Sequence, residues 1–385
     1  MERKLLFGCA IALNLVISLL YLLPLRRLPV WDFPQFYFAG ELVRSGRISE
    51  LYNRAAYQPL IAELRGVDER AARQSTYFNR PAFEAPLFVP LALFPYRTAS
   101  FLMIAINLLL VGVLVWKLTV WFRAPAHNRV WLFVFMPFLF SVALGQDTLL
   151  LTLAVAYGIH LASKKHDGCA GAVLALAAFK PHLVWAIPFA LAAGRKWKML
   201  ATFLATGVSL AALSLGLVGV NGLRQWADLL RAPTTDYMPV LMGNVRALGL
   251  LWGPIPGIVA ALAVVLSFAF ILMRGSFNEK LSAALLVALL LSPHTYLQDY
   301  SLLAIVALSS LSGIARYAAL TPWPYFYQPR DQLPLIVLAI GCLLILAAGA
   351  AVRCRAGVRA GAQDGLGASR KAEAAILGDR VTSGE

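Results

Sequence analysis

Membrane-length apolar runs recur along this chain, and they constrain its fold more than any motif does. Residues 5–23, 98–122, 199–220, 248–273 and 333–352 are each close to the length that crosses a lipid core, about 20 residues for about 30 Å. Of the 385 residues, 60% are hydrophobic and 14% are charged, whereas a soluble domain is about 25% charged. Inside lipid every backbone N–H and C=O must be satisfied within its own segment, which favours helices. The reading is an all-α, polytopic membrane protein with a bundle of about 10–11 transmembrane helices.

The remaining apolar stretches are less regular. Residues 130–144, 148–163, 281–291 and 300–313 read as helices. Pro81, Pro86, Pro90 and Pro95 interrupt residues 81–95. Prolines at that density break a spanning helix and leave a re-entrant or interfacial element. Residues 168–194 could span once, but Lys164-Lys165 precede them and Arg195-Lys196-Trp197-Lys198 follow. Basic residues at both ends favour one side for both ends, hence a hairpin of two short helices with Lys180-Pro181-His182 at its tip. Residues 221–246 form a loop containing an amphipathic piece, 223–230.

The domain reading is one integral membrane domain over residues 1–352, with an external loop at 25–97, then a disordered tail at 353–385. Arg3 and Lys4 ahead of residues 5–23, followed by the poor cleavage site Pro24-Leu25-Arg26-Arg27, read as a retained signal anchor.

Charge sets the orientation. Arg3, Lys4, Arg123, Arg129, Lys164, Lys165, Arg195, Lys196, Lys198, Arg274 and Lys280 fall on the side of the N-terminus. Lys180, Arg224, Arg231 and Arg246 fall on the other side, outside the long first loop. That bias puts the N-terminus in the cytoplasm. The nine arginines of residues 26–80 oppose it, but six acids accompany them in a loop near the length at which the rule weakens. An odd helix count would leave the tail outside, whereas Arg353 and Arg355 prefer inside, so one assignment near residues 317–333 is in conflict.

Lys and Arg total 34 against 19 Asp and Glu, a net charge of +15. Much of that excess serves topology, and no basic-aromatic domain stands apart, so nucleic acid is excluded as a partner. Cys9, Cys169, Cys342 and Cys354 show neither metal-ligand spacing nor an external pair.

On the outer side of this topology, five separate segments bring polar groups to one leaflet. They are Asp32 and Tyr37; Gln146 and Asp147; Lys180 and His182; Asn244 and Arg246; and His294 with Asp299. Ionisable groups at membrane depth are costly and usually serve a function. Each also has a plain structural reading. Asp32 could cap a helix or pair with Arg26 or Arg27; Gly145-Gln146-Asp147-Thr148 could be a turn with an N-cap; Lys180 could snorkel to the interface.

Asp32 followed by Phe36-Tyr37-Phe38-Ala39-Gly40, then Gly46 and Leu51-Tyr52, resembles the first loop of family 87 glycosyltransferases. The resemblance continues through Phe88-Val89-Pro90-Leu91-Ala92-Leu93-Phe94-Pro95, Gly145-Gln146, Lys180-Pro181 and Ser292-Pro293-His294. Asn79-Arg80-Pro81 stands where the family often has Tyr-Pro-Pro, and Asp147-Thr148 where it often has Asn. The resemblance implies a GT-C-type plasma-membrane enzyme, in the inner membrane of a bacterium, with its active site on the external side. It implies a polyprenyl-phosphate-linked sugar donor, commonly mannose, and an envelope lipid or glycan acceptor. It also implies Asp32 as catalytic base and His294 as an active-site or donor-phosphate group.

The residue chemistry agrees with that role. Transfer from a lipid phosphate with inversion needs one base, which Asp32 can supply. Lys180, His182 and Arg246 are the expected donors to the phosphate. Tyr37, Gln146, Asp147, Asn244 and Asp299 are the expected substrate-binding groups. No cofactor and no metal are expected. Two other classes remain open: a transporter or flippase of a lipid-linked glycan, and a non-catalytic subunit of an envelope-synthesis complex.

Overall fold

The computed structural model describes residues 32–74, 76–231, 242–321 and 334–354. The expected anchor at 5–23 and the tail beyond Cys354 lie outside the described residues. The described chain is helical, with no strand among those residues.

Helix α1 (Phe33–Arg44) opens directly after Asp32, with Pro34 in its first turn. Helices α2 (Arg54–Val67) and α3 (Glu69–Gln74) follow. The proline-rich stretch forms a 3-10 segment, Ala82–Phe88, and the single turn α4 (Val89–Ala92). This short, broken element packs against α1, and Gly40 makes the approach possible. A Cβ there would lie 2.6 Å from the Phe88 carbonyl oxygen. Phe33, Phe36, Phe38, Tyr57, Phe78 and Phe88 complete a separate apolar core beneath the element.

The main bundle begins with α5 (Tyr96–Trp121), whose 26 residues rise about 39 Å, enough to cross a bilayer. The apolar run expected at 130–144 is divided into α6 (Asn128–Phe133) and α7 (Met136–Leu144), with Pro137 in the first turn of α7. Helix α8 (Thr148–Ser163) has the expected bounds. The hairpin is present: α9 (Asp167–Leu176) continues into a 3-10 turn, Ala177–Phe179, and the chain returns through α10 (Pro181–Val184) and α11 (Ile187–Ala193). Lys180 sits at the tip, where the following proline disfavours helical backbone.

Helix α12 (Trp197–Arg231) includes both the expected span and the expected amphipathic piece. The join is a kink at Gly219, whose φ of 69° interrupts the helical backbone. Beyond the kink, Trp226 stacks on Tyr52 and donates its indole N–H to the Asn79 carbonyl at 3.1 Å. The run at 248–273 is likewise split, into α13 (Val245–Trp252) and α14 (Pro254–Arg274), by Gly253 at φ 96°.

Helix α15 (Phe277–Leu291) is buried along its length from Leu281 to Leu290. Leu281, Ala284, Leu285 and Leu289 join Leu302, Ile305 and Val306 in the large core of the bundle. The 3-10 segment Leu297–Leu302 then leads into α16 (Leu303–Ser310) and α17 (Gly313–Leu320). Helix α18 (Pro334–Cys354) closes the described chain.

Among the described residues, four helices, α5, α12, α14 and α18, are long and apolar enough to cross a membrane. The other apolar helices are short and packed against them, which is how broken backbone is tolerated at membrane depth. Arg353, at the end of α18, pairs with Glu279 at the start of α15. Lys280 donates to the Ala193 carbonyl at 2.9 Å, and Lys196 pairs with Asp167 at 3.3 Å. The end of α18 therefore lies with the basic turns around residues 164–167, 194–198 and 274–280. Most of the segment in which the helix count is in conflict, residues 322–333, lies outside the described residues.

Candidate active site

Asp32 stands at the N-terminal end of α1, half-buried, with no side-chain cap bond to the helix. Its backbone N–H donates to the Leu144 carbonyl at 3.0 Å, which fixes the start of α1 to the end of α7. That carbonyl belongs to a glycine-terminated helix end. Gly145 adopts φ 67°, and the Gln146 N–H returns to the Ser141 carbonyl at 2.9 Å. The left-handed turn reverses the chain and sets Gln146 and Asp147 at the head of α8.

The Gln146 Nε2 group donates to Asp32 Oδ2 at 2.6 Å. Its amide oxygen accepts from Arg80 Nη2 at 3.3 Å and from Lys180 Nζ at 3.3 Å. Lys180 also meets Asp147 Oδ1 at 3.1 Å and Asp299 Oδ1 at 3.0 Å, and it donates to Thr148 Oγ1. Arg80 Nε lies 3.6 Å from Asp147 Oδ2. One network thus joins residues 32, 80, 146–148, 180 and 299. It lies where the small core under α1 meets the large core of the bundle.

The side chain of Lys180 is 1% exposed and those of Asp147 and Asp299 are 2% and 4% exposed. Removing such groups from water is costly unless they are paired. Burial raises Asp147, but the charges of Lys180 and then Arg80 outweigh it and hold the carboxyl below the ordinary range. Burial pushes Asp32 the other way and wins. The Gln146 hydrogen bond and the charges of Arg80 and Lys180 only partly offset the upward shift.

A second group adjoins this network. The rings of His182 and His294 lie 4.6 Å apart, centroid to centroid. Burial lowers His294 to about 4, so it is neutral at pH 7; Asp299 opposes the shift, while Arg80, Lys180 and Arg246 add to it. The turn carrying His294 is held firmly. Ser292 Oγ donates to the His294 carbonyl at 2.7 Å and Thr295 Oγ1 to the Leu289 carbonyl at 2.9 Å. Asp299 Oδ2 accepts from the Tyr296 N–H at 3.0 Å.

Asn244 caps α13 through the Ala247 N–H at 2.9 Å and reaches across to the Ser292 carbonyl at 3.1 Å. Arg246 is exposed and donates to the Pro293 carbonyl at 2.8 Å. Both residues therefore border the histidine turn. Tyr37 lies apart: its hydroxyl donates to the Phe94 carbonyl at 2.9 Å, and its ring packs on Tyr96.

The structure brings Asp32, Gln146, Asp147, Lys180 and Asp299 into one hydrogen-bonded and ion-paired set. His182, His294, Asn244 and Arg246 stand beside it. The sequence reading did not name Arg80 or Glu84 as site residues. Arg80 was visible only as the residue standing in place of the first proline of Tyr-Pro-Pro in the Asn79-Arg80-Pro81 motif. Glu84 is buried beside Asp147, one turn beyond Arg80. No group of three or more His, Cys, Asp or Glu residues placed to hold a metal ion occurs among the described residues.

The glycosyltransferase family 87 model matches residues 78–293, which include Arg80, Gln146, Asp147, Lys180, His182, Asn244 and Arg246. The chain belongs to glycosyltransferase family 87. Asp32, His294 and Asp299 lie outside the matched residues. No curated protein and no solved structure matches the chain. As a member of family 87, it is a membrane glycosyltransferase that uses a sugar donor and an acceptor.

Proposed function

We propose that this family 87 enzyme transfers a hexose, mannose in the first instance, from a polyprenyl-phosphate donor to an envelope lipid or glycan. The reading places the reaction at the external face of a bacterial plasma membrane, with inversion at the anomeric carbon and Asp32 as the base. The observation that carries it is the setting of Asp32. A half-buried carboxyl is held through one oxygen by Gln146, above a buried network of Arg80, Lys180, Asp147 and Asp299.

In the reaction, the acceptor hydroxyl gives its proton to Asp32 as its oxygen bonds to the anomeric carbon. The bond from that carbon to the phosphate oxygen breaks, and polyprenyl phosphate leaves with the electron pair. Asp32 becomes neutral as the departing phosphate gains one negative charge, so charge balances. A carboxyl raised by burial is a stronger base, in its ionised form, than an ordinary one. Arg246, His182 and His294 are the groups best placed to meet the leaving phosphate. Lys180 has two carboxylates already within ion-pair distance, which favours an ordering role for it beneath the substrate.

The test is transfer from labelled polyprenyl-phosphate-mannose into a total lipid extract by the purified full-length protein. Asp32→Asn should reduce transfer by about 10²-fold or more, the scale of lost general-base catalysis, while leaving thermal stability close to wild type. Full transfer by Asp32→Asn would sink the base assignment.

A further inference from the structure

The network contains one side chain whose orientation is dictated by charge. A primary amide can present either its oxygen or its NH2 group to a neighbour. The amide end of Gln146 faces a carboxylate on one side and two cations on the other. Asp32 Oδ2 is 2.6 Å from Nε2, while Arg80 Nη2 and Lys180 Nζ are each 3.3 Å from Oε1. Turning the amide over would set its oxygen against the Asp32 carboxylate and its NH2 group against a guanidinium and an ammonium. Three favourable contacts would become three unfavourable ones, so only one orientation survives.

The two cations are themselves fixed. Lys180 is anchored by Asp147 and Asp299, and Arg80 Nε lies 3.6 Å from Asp147 Oδ2. The Arg80 backbone is tied as well, because its carbonyl accepts from the Tyr52 hydroxyl at 2.7 Å. The order of constraint therefore runs from the buried acids to the cations, from the cations to the amide, and from the amide to Asp32.

We propose that Gln146 is a positioning residue for Asp32, with its amide polarity set by Arg80 and Lys180, so that Oδ2 is occupied and Oδ1 is directed to the acceptor hydroxyl. Among the described residues, no donor is bonded to Oδ1. This inference rests on the general-base reading of Asp32 for its effect on transfer, but the orientation itself does not. The charged groups facing Asp32 are Arg80 and Lys180, which favour its ionised form, and Asp147, which disfavours it.

Infrared spectroscopy of the full-length protein tests the orientation without any substrate. The protonated carboxyl band of Asp32 is identified by its loss in Asp32→Asn, then followed as pH is lowered. Gln146→Ala removes a donor to the ionised carboxyl, so the midpoint should move upward by about one pH unit, a tenfold shift in the equilibrium. Arg80→Ala should move it in the same direction, and Arg80→Lys should restore much of the wild-type midpoint. In the transfer assay, Gln146→Ala should lower kcat on the order of 10- to 100-fold, with the KM for the polyprenyl-phosphate-mannose donor changed far less.

An unmoved Asp32 midpoint in Gln146→Ala would overturn the positioning role, as would wild-type kcat in that variant. A shifted midpoint combined with an active Asp32→Asn would uphold the orientation and defeat the general-base reading, so the two failures can be told apart. Should Arg80→Ala fail to fold, the Gln146→Ala and Arg80→Lys results decide the matter between them.

Discussion

Lys180→Met gives the most direct test of how the site is held together. Methionine approximates the length of lysine and removes the charge. In the native protein Nζ lies 3.1 Å from Asp147 Oδ1 and 3.0 Å from Asp299 Oδ1, at 1% exposure. Removing one member of a buried ion pair costs about 3–5 kcal/mol, because a buried charge is left without compensation. Arg80, 3.6 Å from Asp147, remains to share part of that charge, whereas Asp299 keeps the Tyr296 N–H at 3.0 Å as a neutral donor. The expected loss is therefore about 3–5 kcal/mol rather than twice that, and most of it should trace to Asp299.

Thermal unfolding of purified wild type, Lys180→Met, Asp299→Asn and the double variant forms the appropriate cycle. Adding Asp299→Asn to Lys180→Met should recover stability. Lowering the pH should narrow the gap between Lys180→Met and wild type, because Asp147, held below the ordinary range by Lys180, then takes up a proton more readily. A Lys180→Met protein as stable as wild type, with Asp299→Asn adding nothing, would refute the argument that this pair of carboxylates depends on Lys180.

Two further outcomes follow from local geometry. Gly171→Ala should destabilise the protein by about 1–3 kcal/mol through overpacking, since a Cβ would lie 2.1 Å from the Met199 carbonyl oxygen and force α9 from α12. Gly207→Ala on α12, where a Cβ meets nothing within 4 Å, is the matched control and should be neutral or slightly stabilising in thermal unfolding. The pH dependence should separate two groups. Transfer should be lost on the acid side at a higher pH than an ordinary carboxylate would give, because burial raises Asp32 and only its ionised form accepts a proton. Stability should be fully present above an unfolded histidine value of about 6.5 and fall as pH drops toward the folded His294 value of about 4. His294→Gln should flatten that decline, measured as unfolding midpoints between neutral and acid pH.

The apolar runs alone determined that this chain is helical and crosses lipid, because runs of about 20 apolar residues match a spanning helix, whose backbone bonds close within the segment. The 81–95 element was legible from its prolines, and the Lys180 hairpin from the basic residues at both its ends. The breaks inside 130–144 and 248–273 were not, since each run reads as one continuous helix. The extent of α12 was not: only tertiary packing, with Trp226 stacked on Tyr52 beyond the Gly219 kink, makes the amphipathic piece a continuation of the span.

The same division holds at the site. Sequence set out polar groups on one side of the topology but could not say which of them touch. A charge pattern carries no distances between residues 32, 80, 146, 180 and 299. Tertiary structure decided that Lys180 meets two carboxylates and that Arg80 belongs to the network. It also decided that the polarity of one amide follows from both cations. Those assignments depend on side chains converging from distant segments where two cores meet, and only the folded packing brings them together.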